Sequence, residues 1–333
     1  MVRRYRLFSI AGLNGVFMRN KTIDISPDSP EGAAYLSRCV TVDAPMDTLD
    51  PVLDKTVLGD SFAVLPCLPD ASADLVIADP PYNLDKRFGE TSFHKMDTDA
   101  YREFSRRWLT EVLRILKPSG SLYVCCDWQS GMVLGPLLAE LAVLRNRITW
   151  QREKGRGASA NWKNSMEDIW FATKTEDYTF HLDAVRLRRR VMAPYRADGA
   201  PKDWEDTPEG KFRDTCPSNF WDDITVPFWS MPENTAHPTQ KPEKLMAKLI
   251  LASSSPGDVL LDPFAGAGSA CVAAKKLGRH FIGIEKERAY CCWCEKRLAD
   301  AEADTRIQGY EDGVFWERNT PRIHRKSGKT DTD

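Results

Sequence analysis

The group Asp79-Pro80-Pro81-Tyr82 follows an apolar run, residues 73–78, that reads as a buried strand. An acid, two prolines and an aromatic at a strand end set a rigid polar hook and a flat ring in the crevice beyond the sheet. The prolines remove two backbone donors and leave carbonyl acceptors. An amino group on a planar ring has two N–H donors, which the Asp79 carboxylate and the Pro80 carbonyl match, with Tyr82 stacked on the ring. The competing reading is a proline-stiffened turn, a composition that seldom ends a buried strand in this way.

A second group lies far along the chain. Val259-Leu260-Leu261-Asp262 runs into Pro263-Phe264-Ala265-Gly266-Ala267-Gly268 and then a helical pattern. A strand, a glycine turn and a helix N-terminus let a ligand approach the backbone closely. The next strand ends in Glu285, an acid placed to hold ribose hydroxyls. The turn lacks the third glycine of the pyrophosphate fingerprint, so the ligand need not be a dinucleotide. S-adenosylmethionine, an adenosine without phosphates, fits it.

The elements that must position these groups alternate. Strands are expected at 56–59, 73–78, 121–126, 148–151, 168–173, 259–261 and 280–284, with helices at 99–116, 131–144, 242–253, 269–277 and 287–303. That alternation implies an α/β fold with a largely parallel sheet covered on both faces. Residues 1–54 read as a loosely structured N-terminal extension, 55–177 as the catalytic half, 178–236 as an irregular insertion, 237–303 as the cofactor half and 304–333 as a C-terminal tail.

With 333 residues and 42% hydrophobic content, the chain can bury a substantial core. No apolar run approaches the roughly 20 residues needed to cross a bilayer, and the N-terminus lacks an export pattern. A cytoplasmic location is expected, which nine scattered cysteines also suit. Cys291, Cys292 and Cys294 lack a second pair at ligand spacing, so they read as helix packing and no metal is expected. Cys67, after Pro66, reads as a packed helix residue rather than a nucleophile.

Three motifs together resemble the amino-group DNA methyltransferases: Asp79-Pro80-Pro81-Tyr82, Phe264-Ala265-Gly266-Ala267-Gly268, and His237-Pro238-Thr239-Gln240-Lys241-Pro242. Their order, catalytic motif first and cofactor motif last, is similar to the β group. The resemblance spans residues 55–298 and implies a Rossmann-like, seven-stranded, mostly parallel methyltransferase sheet in circularly permuted motif order. It implies that Asp79, Pro80, Pro81 and Tyr82 hold the target base. Asp60, Thr239, Lys241, Asp262, Phe264, Ala265, Gly266, Gly268 and Glu285 would serve S-adenosylmethionine, with Lys241 meeting its carboxylate. Asn83 extends the catalytic motif. The family adenine enzymes usually open that motif with Asp, which points to N6 of adenine; cytosine N4 and a catalytically silent DNA-binding protein are the alternatives. A cognate restriction endonuclease and a homodimer also fit the resemblance.

The formal net charge of −2 argues against indiscriminate coating of a polyanion. It hides an asymmetry, because residues 145–196 hold twelve basic and six acidic side chains. Arg152, Lys154, Arg156 and Lys163 lie in one glycine-rich loop with Trp162. Arg186, Arg188, Arg189 and Arg190 form a second cluster. Both are candidates for phosphate contact with double-stranded DNA. Residues 178–236 sit where the family keeps its target-recognition region, and the polar loop 85–97, with Gly89 as hinge, follows the catalytic motif as a candidate lid.

Overall fold

The computed structural model describes residues 20–89, 91–152, 160–192, 196–197, 200–208 and 210–318. One sheet contains β1 (Lys55–Leu58), β2 (Ala73–Ala78), β3 (Leu116–Cys126), β4 (Val143–Gln151), β5 (Met166–Thr173), β6 (Phe220–Trp221), β7 (Val259–Asp262) and β8 (His280–Glu285). Their spatial order is β1-β8-β7-β2-β3-β5-β4-β6. Strand β5 runs antiparallel to β3 and β4, and the other neighbours are parallel. The sheet thus has eight strands rather than the expected seven. The extra one, β6, is a two-residue edge pairing of Phe220 and Trp221 with Thr149 and Trp150, too short to leave a periodic signal.

The described helices are α1 (Pro30–Leu36), α2 (Ser61–Val64), α3 (Thr98–Ile115), α4 (Trp128–Leu141), α5 (Glu243–Ser253), α6 (Ser269–Lys276) and α7 (Arg288–Ala303). Side-chain alternation in β2 assigns the two faces. Leu75 and Ile77 join the core under α5, α6 and α7, whereas Val76 and Ala78 join the core under α3 and α4. Helix α3 starts where the Asp97 carboxylate accepts the Ala100 N–H at 2.8 Å, and it buries Tyr101, Trp108, Val112 and Ile115.

The strand order explains why distant motifs meet. Strands β1, β8, β7 and β2 are successive neighbours, with Leu260 and Leu261 of β7 opposite Leu75 and Val76 of β2. Asp60, Glu285, the glycine turn and the Asp79 hook therefore emerge along one edge of the sheet, at the C-terminal ends of parallel strands.

Three expectations change. Residues 20–54 are not a loose extension: Ile23, Ile25, Tyr35 and Leu36 pack on Tyr290 and Trp293, and the Trp293 indole donates to the Ile25 carbonyl at 3.1 Å. Nor is the insertion irregular, because Leu187–Arg190 pairs with Gly210–Thr215 and with Val314–Trp316 in a five-stranded sheet. Residues 310–316 of the expected tail thereby complete that small sheet, and those after 318 lie outside the described residues. A buried ion cluster fastens the insertion to α5, where Lys248 reaches both Asp223 oxygens at 2.7 and 2.8 Å and Lys244 lies 2.8 Å from Asp223.

Candidate active site

A cavity of about 500 Å³ opens at the shared strand edge. Of the expected site residues, Asp60, Asp79, Pro80, Pro81, Tyr82, Thr239, Lys241, Asp262, Phe264, Ala265, Gly266 and Glu285 all line it. Gly268 does not, but it shapes the turn from behind.

On the cofactor side, Gly266 and Gly268 have φ of +52° and +74°, the left-handed region that an L side chain adopts only with strain. A Cβ on Gly268 would overlap the Cys294 sulfur. The turn aims the Gly266 N–H at Glu285 Oε2, 2.8 Å away, and Glu287 N–H donates to the other oxygen at 2.7 Å. Burial outweighs these backbone bonds and lifts the Glu285 pKa to about 7. Burial likewise raises Asp262 to about 8, although its carboxylate accepts the Phe264 N–H at 3.1 Å. Asp60 caps α2 by accepting the Phe62 N–H at 2.8 Å.

The catalytic side is built from side-chain bonds. Tyr82 hydroxyl donates to Asp79 Oδ1 at 2.9 Å, and Lys241 Nζ donates to Asp79 Oδ2 at 2.6 Å. Lys241 also lies 3.3 Å from Glu167 Oε2, and that oxygen is 3.2 Å from the Tyr82 hydroxyl, whose single proton the two carboxylates share. Arg152 pairs with the remaining Glu167 oxygen. Burial alone would push the Lys241 pKa down, but Asp79 and Glu167 outweigh it and hold the ammonium above its ordinary range. Burial, then Asp79 and Glu167, raises the Tyr82 phenol well above its usual value.

Lys241 lines the cavity, and its ammonium also bonds the Asp79 carboxylate, a partner the sequence did not indicate. Its own backbone is fixed by the Ser269 hydroxyl, which donates to the Lys241 carbonyl at 2.6 Å. Gln240 ties the same loop to Thr235 and Glu233. His237, 4.4 Å from the Tyr290 ring centre, is held neutral by burial and by Lys241, with its pKa pushed down to about 3. Asn83 serves the frame: its side chain bonds both the N–H and the carbonyl of Met96. The candidate lid forms a hairpin, Lys86–Phe88 with Thr91–Phe93, docked by a 2.7 Å bond from Thr91 to Glu287.

The basic clusters fare unevenly. Arg186 pairs with Asp183, Arg188 forms two 2.7 Å bonds to Asp214, and Arg189 lies near Asp222 and Glu317. Each of these three side chains thus has a carboxylate beside it, and only the Arg188–Asp214 pair crosses the small sheet. Arg190 ends the same strand and is exposed. Arg152 faces inward to Glu167, Lys163 is exposed, and Lys154 and Arg156 lie outside the described residues.

Glu167 was missed by sequence reasoning. The signal was its parity: it shares the inward face of β5 with Ile169 and Phe171, and an acid in that register demands a partner.

Residues 73–296 match a family model described as DNA methylase. The Type II methyltransferase M.HpaI of Haemophilus parainfluenzae is 33% identical over 260 residues, 77% of this chain and 76% of that one. The DNA adenine methyltransferase YhdJ of Escherichia coli K12 is 31% identical over 287 residues, covering 84% and 93%. Among solved structures, the putative DNA modification methylase TTHA0409 of Thermus thermophilus, complexed with S-adenosyl-L-methionine, aligns with a TM-score of 0.51 at 21% identity, over 80% of this chain and 99% of that one. That likeness supports a shared methyltransferase-type α/β fold, and the matched motifs stand together in one cavity; the chain belongs to the DNA methylase family.

Proposed function

We propose that this chain moves the methyl group of S-adenosylmethionine to N6 of an adenine flipped out of duplex DNA at a specific site. The observation that carries the reading is the Asp79 hook and the Gly266 turn lining one cavity from neighbouring strands. The cavity's donor set fits the cofactor: a buried carboxylate for ribose at Glu285, an acid near the adenine at Asp60, and apolar walls at Phe264 and Ile284. Bound S-adenosylmethionine supplies a methyl group already activated by its sulfonium.

The chain's own task is alignment. Asp79 keeps acceptor capacity on each oxygen beyond its Tyr82 and Lys241 bonds. Its carboxylate and the Pro80 carbonyl accept the two amino protons, draw the nitrogen lone pair out of ring conjugation and stabilise the positive charge that develops. Asp79 is also the base that takes the proton released. Tyr82 supplies the stacking face beside the hook. A base inside a duplex must leave the stack to reach this cavity.

The proposal extends to the circularly permuted motif order, to residues 178–236 as the target-recognition region and to a cytoplasmic location; among the described residues no helix could cross a membrane. The naming of M.HpaI as a Type II methyltransferase supports a cognate restriction endonuclease. A homodimer is tested by light scattering of the purified chain.

Duplex DNA incubated with the chain and methyl-labelled cofactor, then digested to nucleosides, should yield labelled N6-methyladenine. Labelled N4-methylcytosine would overturn the choice of base. No label in DNA would overturn the activity.

A further inference from the structure

We infer that Glu167 is a positioning residue for this methyl transfer, balancing the Lys241 charge so that Asp79 presents a net negative field to the target amine. The inference rests on the proposed function. It is carried by a continuous ionic chain: Arg152 to Glu167 Oε1, Glu167 Oε2 to Lys241 at 3.3 Å, and Lys241 to Asp79 Oδ2 at 2.6 Å. Lys241 and Glu167 side chains are only 4% and 5% exposed, so water screens them little.

An amine turns cationic as it is alkylated. A lysine ammonium bonded to the catalytic carboxylate cancels the field that the new cation needs. It also fixes that carboxylate in place, which the geometry does need. Glu167 reconciles the two demands. With it, the Asp79, Lys241 and Glu167 group carries one net negative charge; without it, the group is neutral. Arg152 neutralises Glu167 less effectively at the amine, since it binds the outer oxygen and is 28% exposed. A unit charge about 6 Å away at an effective dielectric of about 20 is worth ~100-fold in rate. Glu167 also shares the Tyr82 hydroxyl proton with Asp79, so both carboxylates orient the stacking ring.

The test compares kcat and KM, at saturating duplex DNA and cofactor, for the wild type, Glu167→Gln, Glu167→Asp and the double variant Glu167→Gln with Lys241→Met. Charge balance predicts a ~30–100-fold fall in kcat for Glu167→Gln, with KM for the cofactor within about threefold. It predicts that Glu167→Asp stays within about tenfold of wild type, and that the double variant recovers about tenfold over Glu167→Gln. An undiminished Glu167→Gln, or a double variant no better than it, overturns the inference. If Glu167→Gln fails to fold, the double variant decides: at least about a tenth of wild-type kcat supports the balance, and less overturns it. An inactive wild type overturns the proposed function itself, and an active wild type with an unaffected Glu167→Gln overturns this inference alone.

Discussion

The two walls of the cavity are made by different means. The cofactor wall is backbone: two glycines with positive φ, an N–H aimed at Glu285, and a helix that starts at once behind them. The catalytic wall is side chain: Asp79 and Tyr82 after β2, Lys241 before α5, Glu167 in β5 and Arg152 after β4 meet only through hydrogen bonds and ion pairs. A backbone wall is specified by consecutive residues and cannot be rebuilt by substitution. A side-chain wall is specified by sheet topology and fails one charge at a time.

Breaking the catalytic wall at its centre should have the largest effect. Asp79→Ala is expected to lower methyl transfer by ~1,000-fold or more while cofactor affinity, measured by calorimetry, stays within about threefold. Retained transfer would remove Asp79 from the chemistry. The cofactor wall should respond instead in stability. Gly268→Ala sets a Cβ in a left-handed position already occupied by the Cys294 sulfur, and should destabilise the fold by about 2–3 kcal/mol in denaturant melts. An unchanged melt would show that the turn relaxes freely.

Glu285 sharpens the comparison through pH. Its carboxyl titrates near 7 in the folded chain against 4.5 ordinarily, so ionisation favours the unfolded chain between those values and stability falls as pH rises across them. In the proposed ribose role the ionised carboxylate is the stronger acceptor, so cofactor affinity should rise several-fold from pH 6 to 8. Glu285→Gln should bind about tenfold more weakly at pH 8 and lose that dependence. A flat wild-type profile would exclude Glu285 from the ribose site. The smallest effects belong to the basic clusters. Lys163→Gln should lessen the salt dependence of DNA binding by roughly one phosphate contact, while Arg188→Gln, already bonded to Asp214, should leave the slope unchanged. Equal slopes for the two variants would abolish the distinction.

The same contrast explains what could be read from the chain. The glycine turn, Glu285 and the Asp79 hook are local motifs at strand ends, and the alternation of elements places them along one edge. Glu167 escaped because the strand was expected to begin at Asp168 and it begins at Met166. The bond between Lys241 and Asp79 was not legible, since it depends on packing between α6 and the loop before α5. At residues 186–190 the sequence showed the charge density but not the carboxylates beside it: Asp214 for Arg188, Asp222 and Glu317 near Arg189, and Asp183 for Arg186. Residues 20–36 have no sustained periodicity, and their order comes from the α7 surface that receives them.

The position of β7 and β8 has a consequence for how the protein is made. They lie between β1 and β2, yet they are translated about 200 residues later than either. A nascent chain emerging N-terminus first must hold that two-strand gap open until residues 259–285 leave the ribosome. The central sheet therefore closes only after residues 259–285 are made, and the Asp79 hook stays without its neighbouring wall until those strands insert.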